Sequence, residues 1–313
     1  MTKHRTSTRR SISSCGEFGL IQLIQKWTFG RSKNLVKGIG DDAAVFRLKP
    51  NRNHVLTMDT MVEGVDFKCG VASPQQIGWK ALAINLSDIA AMGATPRFAV
   101  VSLTLLRSTS IRFVKGFYEG LLKLASRFHV LVVGGDLSRG PKVVSTIALA
   151  GECVPKYILY RTGAKEGDLV CVTGNLGGSL LGRHLTFMPR IREGQFLARS
   201  RRVSAMIDIS DGLLQDLEHL MGGKHLDVQI DCTQVPVSQA AWRRARGNQK
   251  KALKHALTDG EDFELLFTVP ESDYPKLLRS WNRRFQVPLT VIGRVVHRTG
   301  KSRLHPLQGF QHF

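Results

Sequence analysis

Aspartates at the ends of apolar runs are the residues of this chain best placed to do chemistry. GIGDDAAVF, residues 38–46, sets Asp41 and Asp42 side by side in a glycine turn. Asp59 closes the run VLTMD, Asp136 closes VLVVGGD behind two glycines, and Asp208 and Asp211 form D-x-S-D in AMIDISDGL. Asp88 lies three residues after Asn85 in KALAINLSDIAAMGA, so the two share one face of an apolar helix. Neighbouring carboxylates repel one another and resist desolvation, so a cation is expected among them. Any one of these acids alone is accounted for by a helix cap, an Asx turn or a surface ion pair. The set of Asp42, Asp59, Asp88, Asp136, Asp208 and Asp211 offers only oxygen donors, which points to a hard cation, Mg²⁺ before Zn²⁺. Magnesium binds through a few carboxylates together with substrate phosphates, so an acidic cleft of this kind suits polyphosphate chemistry.

Other phosphate-binding signals fail on inspection. GIGDDA fits G-x-G-x-x-A, but its two acids would repel a pyrophosphate, and a strand-like AAVF follows where that motif needs a helix. GGKH lacks both the earlier glycine and the hydroxyl residue of a Walker loop, and no H-R-D or D-F-G set occurs.

The acids must be carried by regular elements. GEFGLIQLIQKW has helical spacing, and SPQQIGWKALAINLSDIAAMGA reads as a helix capped by Ser73 with Pro74 in its first turn and Gly93 as its stop. HVLTMD, RFAVVSLTLL, HVLVVGGD and KVVSTIALAGEC read as strands, with an amphipathic helix at SIRFVKGFYEGLLKLASRF. Beyond a seam near residues 152–165, the strands DLVCVTG, DVQI, FELLFTV and PLTVIG are expected, with helices at GGSLLGRHL, GLLQDLEHLM and DYPKLLRSW. Strands in succession between helices imply α+β domains with mixed or antiparallel sheets rather than a barrel of parallel strands. The expected division is a basic tail over 1–15, an N-terminal domain over 16–152 and a C-terminal domain over 153–313.

The 313 residues carry 45 Lys+Arg against 25 Asp+Glu, a formal charge of +20. The basic residues are spread along the chain without interleaved aromatics, so nucleic acid is not expected as the main ligand. No apolar run reaches the roughly 18–20 residues that span a bilayer. Five cysteines without a C-x-x-C pair fit a reduced, cytoplasmic protein with neither zinc site nor disulfide framework.

The segments GIGDDAAV, MDTMVEGVDF, KALAINLSDIAAMGATPRF, VVGGDLSRG, YRTGAKEGDLVCVTGNLGGSLLG, MIDISDGLLQDL and TDGEDFELLFTV resemble, in order, the thiamine-monophosphate kinase family. That family lies within the PurM-like ATP-binding superfamily, which also holds aminoimidazole ribonucleotide synthetase and selenophosphate synthetase. The resemblance implies a two-domain PurM-like fold and a homodimer that pairs its N-terminal sheets. It implies Mg²⁺-dependent, in-line transfer of the ATP γ-phosphoryl group to thiamine monophosphate, without a phosphoenzyme. On that basis Asp42, Asp59, Asp88, Asp136, Asp208 and Asp211, with oxygens of Thr57 and the Met58 backbone, match metal positions. Tyr118, Gly135, Asp136, Arg161 and Ser210 match nucleotide positions, and Asp66, Glu261 and Phe310 match substrate positions. Two departures stand out. Thr57-Met58-Asp59 replaces the usual S-T-D, and Asp66 stands where the family commonly has a substrate-contacting histidine. The alternatives are a superfamily enzyme with another acceptor, or a non-catalytic descendant that binds nucleotide or nucleic acid.

Overall fold

The computed structural model describes residues 16–28, 30, 32–37, 45–46, 49–222 and 225–300. Asp42, Phe310 and the 1–15 segment lie outside the described residues. The chain gathers into two compact units. Among the described residues, the first takes those up to 50 with 56–85 and 96–151, and the second takes 51–55, 86–95 and the rest from 152 onward.

Helix α1 (Gly16–Trp27) and the short antiparallel pair β1 (Leu35–Lys37) and β2 (Val45–Phe46) precede the first sheet. That sheet is built from β3 (Asn53–Val62), β4 (Thr95–Leu105), β5 (Leu131–Arg139) and β6 (Val144–Cys153), in the order β3-β6-β4-β5. β4 and β5 run parallel, joined by helix α3 (Ile111–Phe128). Helix α2 (Pro74–Ala91) begins as its sequence predicts: Ser73 Oγ accepts from Gln76 N–H while Gln76 Oε1 accepts from Ser73 N–H, a reciprocal capping box. α2 and α3 cross closely because both carry glycine at the contact. A Cβ on Gly78 would stand 1.9 Å from the Phe117 carbonyl oxygen, and one on Gly120 1.8 Å from that of Gln75.

The second unit centres on a five-stranded antiparallel sheet of order β8-β10-β7-β11-β9, made of β7 (Leu169–Thr173), β8 (Ala205–Asp208), β9 (Leu226–Ile230), β10 (Leu265–Val269) and β11 (Leu289–His297). Helix α4 (Ile191–Ser200) precedes β8, α5 (Leu213–Met221) follows it, and α6 (Gln239–Arg244) and α7 (Gln249–Thr258) link β9 to β10. Helix α8 (Tyr274–Asn282) lies between β10 and β11. Val170, Val172, Leu266, Ile292 and Val295 of the sheet share one core with Leu213, Leu217, Leu220, Ala256 and Leu257 of α5 and α7. Mixed sheets with packed helices make this the expected α+β class.

Among the described residues, GGSLLGRHL departs from its reading. It forms two single 3₁₀ turns, Ser179–Leu181 and Arg183–Leu185. Gly177, Gly178 and Gly182 all take positive φ, and a Cβ on Gly177 or Gly178 would lie 2.5 Å from the backbone of Ala256 or Ala241. Tertiary contact thus overrides helix spacing here. No helix among the described residues is long and apolar enough to cross a membrane.

Candidate active site

In the first unit, Gly135 and Asp136 stand opposite Val101 and Ser102 across the parallel β4–β5 ladder. A Cβ at Gly135 would sit 2.0 Å from the Val101 carbonyl oxygen, so only glycine lets the strand pass and deliver Asp136, exposed, with Oδ2 accepting from Ser138 Oγ at 2.9 Å. On β3 the pleat places Thr57 and Asp59 on the half-buried face and turns Met58 outward, 66% exposed. Asp66 closes the turn after β3. Its Oδ2 accepts from Val62 N–H at 2.7 Å, and its carbonyl accepts from the buried Lys80 Nζ at 2.9 Å. Tyr118 is only 3% exposed and packs beside the rings of Phe117 and Trp27; burial pushes its hydroxyl pKa up.

In the second unit, two loops come together. The D-x-S-D segment leaves β8, and the DGEDFE segment enters β10. Glu261 N–H donates to the Ser210 carbonyl at 2.6 Å, Phe263 N–H to Ile209 at 2.8 Å and Ile209 N–H to Glu264 at 2.9 Å. Asp208, Ser210, Asp211 and Glu261 therefore share one neighbourhood. Asp208 is buried and accepts through Oδ2 from Ser87 Oγ at 2.5 Å, which brings the turn of α2 that carries Asp88 beside it. The loop holding Arg161 is pinned to the same strand. Met206 N–H donates to the Tyr160 carbonyl at 2.9 Å, and a Cβ on Gly163 would meet the Ser204 carbonyl at 2.4 Å. Arg161 itself is exposed.

Asp216, one turn into α5, lies beneath these acids. Its Oδ2 accepts from Asp211 N–H at 3.2 Å, and its pKa is raised to about 8, first by burial and then by the charges of Asp208 and Asp211. Asp216 thus keeps its proton at neutral pH, because burial and the charges of Asp208 and Asp211 disfavour a third anion there. Among the described residues no three His, Cys, Asp or Glu side chains form a metal cage. Magnesium held by one or two carboxylates with water and phosphate asks for none.

The DGEDFE segment is anchored from below. Glu264, with no exposed surface, receives Arg190 Nε on Oε2 at 2.7 Å, Arg190 Nη2 on Oε1 at 2.6 Å and Thr173 Oγ1 on Oε2 at 2.7 Å; Arg183 Nη2 also donates to Oε1. Asp262 Oδ2 accepts from Gly177 N–H at 2.7 Å while Oδ1 has no hydrogen-bond partner, the nearest guanidinium being Arg183 at 3.7 Å. Burial raises the Asp262 pKa to about 7 against the opposing pull of Gly177 and Arg183. Sequence reasoning missed Ser87, Asp216, Glu264, Arg183 and Arg190. Ser87 and Asp216 carry a local signal, a polar residue beside a motif acid and an acid five positions after one. The two arginines read only as diffuse charge.

A carboxyl group whose pKa is higher folded than unfolded binds an extra proton in the native state, so its contribution to stability declines as pH rises between the two values. Asp262→Asn keeps an oxygen for Gly177 N–H and cannot ionise. Its stability relative to wild type, from urea unfolding, is expected to improve by about 1–3 kcal/mol between pH 5 and pH 8; a difference that is flat over that interval would contradict the assignment.

Comparison with known proteins fits this geometry. The family described as AIR synthase related protein, N-terminal domain, matches residues 40–154, and its C-terminal counterpart matches residues 162–305. A thiamine-monophosphate kinase of Rhodopirellula baltica is 42% identical over 284 residues, covering 87% of this chain and 88% of that protein. The crystal structure of thiamine-monophosphate kinase from Stenotrophomonas maltophilia superposes with a TM-score of 0.80 at 33% identity, over 92% of this chain and 96% of that one. The solved complex of AaThiL with AMPPCP and TMP gives a TM-score of 0.74 at 32% identity, over 98% of this chain and all (100%) of that one. This chain belongs to the AIR synthase related family, and within it to the thiamine-monophosphate kinases.

Proposed function

We propose that this chain transfers the γ-phosphoryl group of ATP to thiamine monophosphate, giving thiamine diphosphate and ADP, in one in-line step assisted by Mg²⁺ in the cytoplasm. The observation that carries the reading is the backbone splice between the D-x-S-D and DGEDFE loops, which gathers Asp208, Ser210, Asp211 and Glu261 in a chain of this family. Transfer between two anions demands alignment and charge neutralisation more than a protein nucleophile.

In this reading Asp59, Asp88, Asp136, Asp208 and Asp211 would hold magnesium, with Asp42, Thr57 and the Met58 carbonyl completing the shell. The ion supplies charge neutralisation at the phosphates. Gly135 and Asp136 serve the nucleotide phosphates, Arg161 pairs with phosphate oxygens, and Ser210 lies at the nucleotide. Glu261 and Phe310 hold the thiamine moiety. Asp66 lies on the substrate side, where its bond to Val62 N–H shapes the turn. For Tyr118 the packed position supports a core role ahead of a nucleotide contact.

The outward side chains Leu56 and Met58 of β3 and Val100 of β4, 77%, 66% and 38% exposed, support pairing of this sheet with a second copy. Sedimentation is expected to give a dimer for the wild type and a monomer for Leu56→Asp; a wild-type monomer would overturn that part. The activity is tested by incubating the protein with thiamine monophosphate, ATP and Mg²⁺ and identifying the product. Thiamine diphosphate is expected, with the rate falling by a factor of about 100 or more in Asp136→Asn and Asp88→Asn while both stay folded. No diphosphate product from the wild type would sink the proposal, and near-normal rates in the variants would remove those two residues from it.

A further inference from the structure

Three residues in the stretch 260–263 have positive φ: Gly260 at 70°, Glu261 at 54° and Phe263 at 49°. For glycine this conformation is free; for glutamate and phenylalanine it costs on the order of 1 kcal/mol each and persists only where the surroundings over-determine it. Here they do. The backbone of the turn is bonded to Ile209 and Ser210, the Phe263 ring stacks on Phe187 at 4.3 Å, and Asp262 is tied to Gly177 N–H. Asp259, just before the turn, accepts from Gly178 N–H and Arg244 and contacts His255. The last and most buried anchor is Glu264. Its carboxylate takes a two-point contact from Arg190, a further bond from Arg183 and one from Thr173. Arg183 also donates to the Asp262 carbonyl at 3.1 Å, so it clamps both sides of Phe263.

We propose that Arg190 and Arg183, acting through Glu264, are positioning residues that hold the strained 260–264 turn in the one conformation that presents Glu261 to the substrate. The inference rests on the reading that Glu261 meets thiamine monophosphate. Three of the four acids in DGEDFE, Asp259, Asp262 and Glu264, are then scaffold for the fourth. The pairing has to come from arginine, because two parallel N–H donors fix the plane of the carboxylate and a lysine ammonium fixes only a point.

The test is a double-mutant cycle on the Michaelis constant for thiamine monophosphate, with wild type, Arg190→Met, Glu261→Gln and the double variant assayed together. Arg190→Met is expected to raise that constant about tenfold or more in the native background and less than about twofold in the Glu261→Gln background, because the group it positions is already altered. Arg190→Lys is expected to rescue only part of the loss. Equal factors in the two backgrounds, or a lowered unfolding temperature with an unchanged Michaelis constant, would reduce Arg190 to a purely structural residue and overturn the inference. If Arg190→Met does not fold, Glu264→Gln takes its place in the same cycle with the same two outcomes. A wild type that forms no thiamine diphosphate would count against the kinase reading instead, so the two failures are separable.

Discussion

A carboxylate sealed from solvent, gripped by two guanidinium groups and a threonine hydroxyl, organises the second unit. Taking Glu264 out of water costs several kcal/mol, which its partners offset only because the geometry is two-pronged and every strong acceptor direction is used. Removing Glu264 alone would strand Arg190 and Arg183, whereas an apolar filling in place of the whole cluster could cost little stability. Such a filling could not fix the entry of β10, and that entry sets the turn that carries Glu261. The same turn is spliced through three backbone hydrogen bonds to the loop bearing Asp208, Ser210 and Asp211. One buried ion cluster thus orders both loops.

Charge is distributed with similar economy. In a chain with 45 basic against 25 acidic residues, Asp208, Asp211 and Asp216 are concentrated at one end of β8, where Asp216 is driven to about 8 by burial and by its neighbours. Burial and repulsion of that kind are unfavourable in the bare protein, and a divalent cation bound nearby would offset the repulsion. The Ser87 hydroxyl aims the Asp208 carboxylate, and Gly135 lets β5 pass close enough to β4 to deliver Asp136 at an exposed edge. In each case the residue beside the acid, rather than the acid, sets its direction.

Much of this was legible in the residue order. Ser73 and Pro74 mark the start of α2, the apolar runs HVLTMD and KVVSTIALAGEC mark β3 and β6, and D-x-S-D marks the end of β8. What was not legible depends on partners far along the chain. Arg190 and Arg183 lie 74 and 81 residues before Glu264, and no local pattern links them. GGSLLGRHL has helical spacing, yet Gly177 and Gly178 are taken up by close approach to α7 and α6. The Asp66 carboxylate accepts from Val62 N–H, a backbone partner that its residue type does not announce.

In the proposed function Asp208 and Asp211 bind divalent metal together with nucleotide. Mn²⁺ binding, followed by electron paramagnetic resonance in the presence of a non-hydrolysable ATP analogue, addresses this directly. Affinity should fall by a factor of about ten or more in Asp211→Asn relative to wild type. Equal affinity and stoichiometry in the two proteins would contradict the account.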